Sequence, residues 1–305
     1  MPRVAVITPT YNRGNNGLLE KAMLSVLGQT YRDFVHIIVD DGSTDNTPDV
    51  VDRYVRSDSR VAYYRRERHD GQKFGASPAR NYGIEKLDKF PDVEFVTFLD
   101  SDDLYARHNL ERKVGVMEPG VRMVYSWIGM FKEMAPSRIF KCIDARSPPA
   151  MAKELKYKMT AGFPHLTVCL RRQLIEEVGK FDENIGCGED RDFSIRMLSI
   201  LKEGEMVMLP EVLYYYRLHE DGVCAFYARN NKVKNEIAYL SGKHGVPRTA
   251  AVIETAKRFV ARPHSFLPEP VKQRLRPLRN SVASKRREFD MDPYVQQIEA
   301  QRRTA

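Results

Sequence analysis

Cysteine is scarce and scattered in this 305-residue chain. Cys142, Cys169, Cys187 and Cys224 lie far apart and form no CxxC pair, which argues against both a zinc site and a disulfide scaffold. Long apolar runs are missing too. None approaches the roughly 18 residues that cross a bilayer, and Met1-Pro2-Arg3 leads straight into a strand-like run without a signal-peptide core. A reducing cytoplasm is the expected location, in solution or peripheral to the inner face of a membrane. No stretch repeats internally, and the first candidate strand is not followed by a glycine-rich loop carrying Lys or Arg for a triphosphate.

With 42% hydrophobic and 30% charged residues, the composition is that of a globular protein. The length suits one large domain, or one domain with a small appendage. The formal charge of +8 is unevenly spread. Lys257 to Ala305 holds 12 Lys/Arg against 5 Asp/Glu, leaving 37 against 36 for residues 1–256. The body is therefore nearly neutral and the tail basic. Such a tail fits nucleic acid, an anionic membrane or an acidic polymer, and equally a solvated helical face.

Val4 to Thr8 is short, β-branched and stopped by Pro9, the pattern of a buried strand. Leu18, Leu19, Ala22, Met23, Val26 and Leu27 then recur at helical spacing. A second strand, His36 to Val39, ends in Asp40, Asp41, Gly42, Ser43, Thr44 and Asp45, with Pro48 suited to a first helical turn ahead of Val50, Val51, Tyr54 and Val55. Strand, helix, strand, helix implies a parallel sheet with right-handed crossovers. A third strand at Val61 to Tyr64, a polar loop at Arg65 to Phe74 and a helix opening at Gly75 to Gly83 follow. After a strand from Phe95 come a helix around Leu110 to Met117 and a strand at Val121 to Ile128. Periodicity fades between Met134 and Lys158, where Pro136, Pro148 and Pro149 interrupt; a loop over the site or part of an acceptor region is expected there. A strand at Leu166 to Leu170, helices at Arg171 to Val178 and from Glu189, and closing strands at Met206 to Leu209 and Leu213 to Tyr216 complete the patterned part.

The run from Phe95 stops abruptly on Asp100, Asp102 and Asp103. A buried strand would deliver these acids to its carboxyl end, where α/β proteins bind ligands. Carboxylates so crowded repel one another unless a cation lies between them. A helix cap on a segment from Leu104 needs one acid and not three. A second cluster, Glu189, Asp190 and Asp192, follows Gly186 and Gly188 at a helix start.

Thr8-Pro9-Thr10-Tyr11-Asn12, Asp40 to Asp45, Ala79-Arg80-Asn81, Asp100-Ser101-Asp102 and Gly188-Glu189-Asp190 stand in an order and spacing that resembles family 2 glycosyltransferases of the GT-A fold, over roughly residues 3–220. The resemblance implies an α/β protein with a Rossmann-like, mostly parallel central sheet flanked by helices. It places a GT-A domain over 1–225, with a nucleotide-binding half at 1–128 and an acceptor-binding, catalytic half at 129–225. A helical, basic C-terminal extension would occupy 226–305. The implied activity is an inverting, hexosyltransferase-type transfer from a UDP-sugar to a hydroxyl on a glycan, lipid-linked or other acceptor, assisted by Mn²⁺ or Mg²⁺.

The chemistry explains why such pieces belong together. Negative charge builds on the departing diphosphate, and a divalent cation neutralises it as a Lewis acid. By the resemblance, Asp102 would be the main metal ligand, with Asp100 and His219 beside it and Asp103 as helper. Pro9, Thr10, Tyr11, Arg13, Asp40 or Asp41, Arg80, Asp100 and Ser101 would hold the nucleotide-sugar, a carboxylate accepting the uracil imide proton. Asp190 would be the base that takes the acceptor proton, with Asp192 as runner-up and Glu189 adjacent. Asp45 precedes Thr47 and Pro48 as a helix cap would. Two other readings stay open at this point: a nucleotidyltransferase-like enzyme, and a non-catalytic binder of anionic polymer or membrane built on the tail. The tail also suits a peripheral membrane contact or a homodimer contact; nucleic acid is disfavoured because the acid cluster would repel phosphates.

Overall fold

Alternate residues of the first strand enter different cores. The structure, a computed structural model, describes residues 2–67, 69, 71–132, 138–140, 148–157, 165–186, 188–218, 238–240, 242–245, 287–288 and 291–300. In it β1 (Val4–Thr10) pairs in parallel with β2 (Phe34–Asp40) on one side and β4 (Phe95–Phe98) on the other, and β2 pairs in parallel with β3 (Val61–Arg65). Val4, Val6, Phe34 and Phe95 face Ala22 and Val26 of α1 (Leu18–Leu27). Ala5, Ile7, Ile37, Val39, Val96 and Phe98 face the opposite core, with Ala79 of α3 (Ala76–Glu85) and Phe193 and Met197 of α7 (Glu189–Ile200). Burial on both faces is why these strands read as continuous apolar runs. Each buried Val, Ile or Phe contributes roughly 1.5–3 kcal/mol over leaving it exposed. Leu19 and Met23 of α1 share a smaller cluster with Ile38 and with Val51 of α2 (Thr47–Ser57).

The parallel strands stand in the order β3-β2-β1-β4. The chain moves outward through β2 and β3, then returns to the other side of β1, so the order reverses between β1 and β4. The crevice beyond the carboxyl ends at such a reversal is where open α/β sheets hold ligands. Gly83 helps to set it: a Cβ there would lie 2.6 Å from Ile7 Cγ2, so glycine lets α3 settle directly on β1.

Beyond β4 the sheet becomes mixed and curls. β4 pairs antiparallel with β8 (Cys169–Arg171), β8 with β6 (Met123–Lys132), β6 with β7 (Arg138–Phe140), and β7 with β10 (Arg287–Glu288). β9 (Met206–Leu218) runs parallel to β6, with register irregularities between Ser126 and Ile128, and the two-residue β5 (Leu104–Tyr105) pairs antiparallel with β9. Two expectations change, and the alternative of a capped helix from Leu104 falls away: Leu104 enters a strand, because β9 offers its backbone a partner. Met206 to Leu209 and Leu213 to Tyr216 are one strand. The weakly patterned stretch from Met134 to Lys158 contains β7 and α5 (Pro148–Tyr157); Pro148 and Pro149 open the helix, where proline removes no intrahelical bond.

Shorter helices α4 (Asn109–Val114) and α6 (Arg172–Val178) fill the flanks. Near the end of the chain α8 (Pro293–Ala300) buries Val295 and Ile298 in the same core as α1. Most of the expected helical, basic extension at 226–305 lies outside the described residues. Among the described residues no helix is long and apolar enough to cross a membrane.

His36, buried in β2, meets Thr8 Oγ1 through Nε2 at 2.9 Å. Burial pushes its pKa down to about 3, with Asp58 opposing weakly. The folded chain therefore keeps this imidazole neutral while the unfolded chain takes a proton below about pH 6.5, so its contribution is intact above that pH and is lost as pH falls towards 3. Denaturant unfolding between pH 7 and pH 4 is expected to show wild type losing up to about 1.4 kcal/mol per pH unit relative to His36→Gln. Parallel pH profiles would remove His36 from this role.

Candidate functional site

The carboxyl ends of β1, β2 and β4 converge on one crevice, and each acid there is set by its backbone. Asn12, after β1, is the one non-glycine residue with positive φ, 50°, among the described residues. This αL turn, which Asn tolerates, lets its amide donate to Ser43 Oγ at 2.9 Å and its Oδ1 accept from the Thr44 amide at 2.8 Å. Asp45 joins the two loops. Its Oδ2 accepts from the Gly14 amide at 3.0 Å and its Oδ1 from the Thr47 amide at 3.0 Å and hydroxyl at 2.5 Å. Asp45 is thus the stitch between the β1 loop and α2, in keeping with its capping position.

Pro9 and Thr10 are buried at the end of β1, and the Thr10 hydroxyl is buried without a hydrogen-bond partner. Tyr11 stands 43% exposed at the mouth. Of the two acids ending β2, Asp40 is wholly buried and structural: it accepts from the Ser43 amide at 2.8 Å and the Tyr63 hydroxyl at 2.7 Å. Asp41 is buried too, and it pairs with Arg66 and accepts from the Gly75 amide at 2.7 Å. Arg66 carried no sequence signal beyond lying in a polar loop.

Beyond β4 the three aspartates separate. Asp100 Oδ1 receives Arg80 Nη2 at 2.6 Å, and Asp102 Oδ2 receives Arg13 Nη2 at 3.0 Å. Ser101 is buried between them. Asp103 is buried and accepts from the Tyr214 hydroxyl and the Arg217 amide, each at 2.7 Å. Burial, then the neighbouring Asp102 and Asp100, hold Asp103 well above the usual carboxylate range. Asp100 is raised by burial and by Asp102, with Arg80 opposing.

Arg80 is the joint of the site. Its side chain is only 3% exposed, and while Nη2 holds Asp100, Nη1 donates to Glu189 Oε1 at 2.9 Å. One guanidinium thus links the end of β4 to the start of α7, residues almost ninety positions apart. A surface ion pair would give neither the burial nor the two acids. Next to it Asn81 binds the Phe181 amide and carbonyl at 2.9 and 3.0 Å, tying α3 to the segment ahead of α7. Burial raises Glu189, with Arg80 opposing and Asp190 adding to the rise. Asp190 lies close enough to Asp100 to raise that carboxyl too. Its Oδ1 accepts from the Arg191 amide at 2.7 Å, and among the described residues it has no ion pair. Asp192 faces the other way: it is wholly buried and bound by Arg196 at 2.8 Å, Lys243 at 2.9 Å and His244 at 2.9 Å. Against the effect of burial, those three cationic or imidazole partners draw it down to about 2. His219 lies outside the described residues.

Among the described residues no group of three or more His, Cys, Asp or Glu is gathered as a metal cage. A divalent cation bound with a diphosphate needs only one or two protein carboxylates. Asp102 and Asp100 fit that demand: both are partly exposed, at 17% and 27%, and both already have a guanidinium against them.

A model of the family described as Glycosyl transferase family 2 matches residues 5–178. The chain belongs to this family. Among curated relatives of this family 2 chain, the glycosyltransferase EpsJ of Bacillus subtilis (strain 168) is 30% identical over 226 residues, 71% of this chain and 61% of EpsJ. The GalNAc(5)-diNAcBac-PP-undecaprenol beta-1,3-glucosyltransferase of Campylobacter jejuni is 39% identical over 103 residues, 34% of this chain and 30% of that enzyme. The chain thus spans less than two thirds of either relative. Of solved structures, S. aureus TarS 1–349 in complex with UDP-GlcNAc superposes with a TM-score of 0.55 at 21% identity, over 78% of this chain and 66% of that one. The mannosyltransferase PcManGT from Pyrobaculum calidifontis, in complex with GDP-Man and Mn²⁺, gives 0.54 at 19% identity, over 98% and 84%. These likenesses show the GT-A-type fold.

Removing one partner of a buried ion pair leaves uncompensated charge and costs about 3–5 kcal/mol. Arg80→Met is therefore expected to destabilise the chain by that amount at pH 7.5. The loss should be smaller at pH 5 than at pH 7.5, because burial raises Asp100 and Glu189 and so favours their protonated forms as pH falls. Equal losses at both pH values in chemical denaturation would show that Arg80 does not hold these two acids.

Proposed function

We propose that this family 2 enzyme transfers a sugar from a UDP-sugar to an acceptor hydroxyl with inversion, and that Asp190 is the general base. The observation that carries the reading is the Arg80 bridge: it draws Asp100 and Glu189 together and so brings Asp190 to the crevice that Asp102 borders. The buried, unpartnered Thr10 hydroxyl and the exposed Tyr11 ring at the point of strand reversal support nucleotide binding there. Asp41, one residue past β2, is assigned the acceptance of an imide proton, which uracil supplies. The UDP-GlcNAc complex of TarS supports a uridine donor, and the lipid-linked acceptor in the Campylobacter enzyme's name supports that acceptor class.

Within this reading residues 1–128 hold the donor and 129–225 the acceptor. Asp102, with Asp100 and His219, holds Mn²⁺ or Mg²⁺, which when bound neutralises charge on the leaving diphosphate. Arg13 gives up Asp102 and turns to the phosphates, where its planar fork is suited. Asp190 takes the acceptor hydroxyl proton as the oxygen attacks the anomeric carbon from the face opposite the diphosphate. Glu189 keeps α7 in place through Arg80, and Asp192 anchors the same helix from behind.

Asp190→Asn is expected to bind UDP-sugar as wild type does while losing roughly 10²-fold or more in turnover, the usual size of a general-base contribution. Calorimetry and UDP release measure the two sides, and undiminished turnover would move the base elsewhere. For Asp102→Asn, calorimetry with UDP should show Mn²⁺-dependent binding abolished and the fold kept; retained Mn²⁺ dependence would rule out Asp102 as the ligand.

A further inference from the structure

Helix α8 comes from the far end of the chain, well beyond the family match, yet it touches the acid loop through one buried arginine. Arg217, only 2% exposed, donates from Nε to the Asp102 carbonyl at 2.8 Å and from Nη1 and Nη2 to Glu299 of α8 at 3.2 and 2.5 Å. Its own amide donates to Asp103 Oδ1 at 2.7 Å, and its guanidinium lies 4.5 Å from the Phe131 ring centroid. Every edge of the fork is therefore committed, one to the acid loop and two to α8. Glu299 is fixed in turn by Lys21 of α1, whose Nζ reaches its carboxylate at 3.0 Å and its carbonyl at 3.3 Å. Facing this node are the cations Arg217 and Lys21 and the acid Asp103, so Glu299 is the counter-charge that balances two buried or nearly buried cations.

The seat of α8 is built for it. Val295 and Ile298 are buried, the Tyr294 hydroxyl donates to the Leu24 carbonyl at 2.6 Å, and the Asp292 amide donates to the Tyr215 hydroxyl at 3.0 Å. A Cβ at Gly28, the residue just past α1, would lie 1.7 Å from the Tyr294 hydroxyl, so glycine there leaves room for the tyrosine of α8. We infer that Arg217 and Glu299 are positioning residues: α8 braces the Asp100–Asp103 loop through them and holds the Asp102 carboxylate where it meets the cation. The metal part of this inference rests on the proposed role of Asp102; the bracing of the loop does not.

The test separates the two. In the full chain, Glu299→Gln and Arg217→Lys keep side chains of similar size, and circular dichroism with thermal unfolding establishes that they fold. Hydrogen exchange then reads the amides of residues 99–105, which are held by Leu99 to Ile7, Asp103 to Asp100 and Tyr105 to Ser25 bonds. Both variants should exchange there about tenfold or more faster than wild type, with β1 and β2 unchanged. Arg217→Lys keeps the charge but loses the Nε bond, so a merely structural counter-charge would leave its exchange at the wild-type rate. Calorimetry with UDP should show the Mn²⁺-dependent gain in affinity reduced about tenfold or more in Glu299→Gln and UDP binding without metal unaltered. Wild-type exchange at 99–105 in both folded variants overturns the brace. If wild-type UDP binding itself ignores Mn²⁺, the metal role of Asp102 fails, and the exchange result alone decides for or against the brace.

Discussion

Bringing carboxylates together without letting them drive one another apart is the constraint on which the rest of this structure depends. The solution is a single buried guanidinium. Arg80 sits on α3, which Gly83 allows to lie flat on β1, and from there it reaches Asp100 in one direction and Glu189 in the other. Burying such an ion costs several kcal/mol, and only charge-assisted bonds of good geometry offset it. The arrangement therefore stands or falls as a unit, since the position of α7 and the direction of β4's last residues depend on the same side chain.

The acids divide into two kinds by what surrounds them. Asp40, Asp103 and Asp192 are buried with their oxygens taken up by hydroxyls, amides or cations, and they hold loops and helix α7 in place. Asp100 and Asp102 are partly exposed and meet Arg80 and Arg13 respectively. Asp190 has an amide and, among the described residues, no cation. Acidic residues a few positions apart thus differ less in chemistry than in freedom: those locked by partners form the frame, and those facing the crevice are left able to meet a substrate.

The parallel half was legible in the sequence because burial on both faces writes itself as apolar runs and helical stripes, and the acids at strand ends mark the crevice. β2 starts two residues earlier than its pattern suggested, at Phe34, a difference of no consequence for the site. Less legible was everything that depends on partners far away in the chain. β5 carried no strand signal because its two residues become a strand only by pairing with β9. The two clusters of apolar residues in β9 read as two strands because Pro210 and Glu211 fall between them. Arg66, Arg217 and Glu299 each lie in stretches whose local pattern says only that they are charged; the contacts that define them span from 25 to 278 positions. Asp192 was weighed as a base from its spacing alone, and only the fold reveals Lys243 and His244 closing over it.

Leu99 is held to Ile7 of β1, and five residues later Leu104 is already paired with Tyr215 of β9. Both stalks of this short arch are anchored in the sheet, so its backbone has surrendered its wandering during folding. An incoming ligand then meets groups that are already aimed, and little of its attraction is consumed in marshalling them.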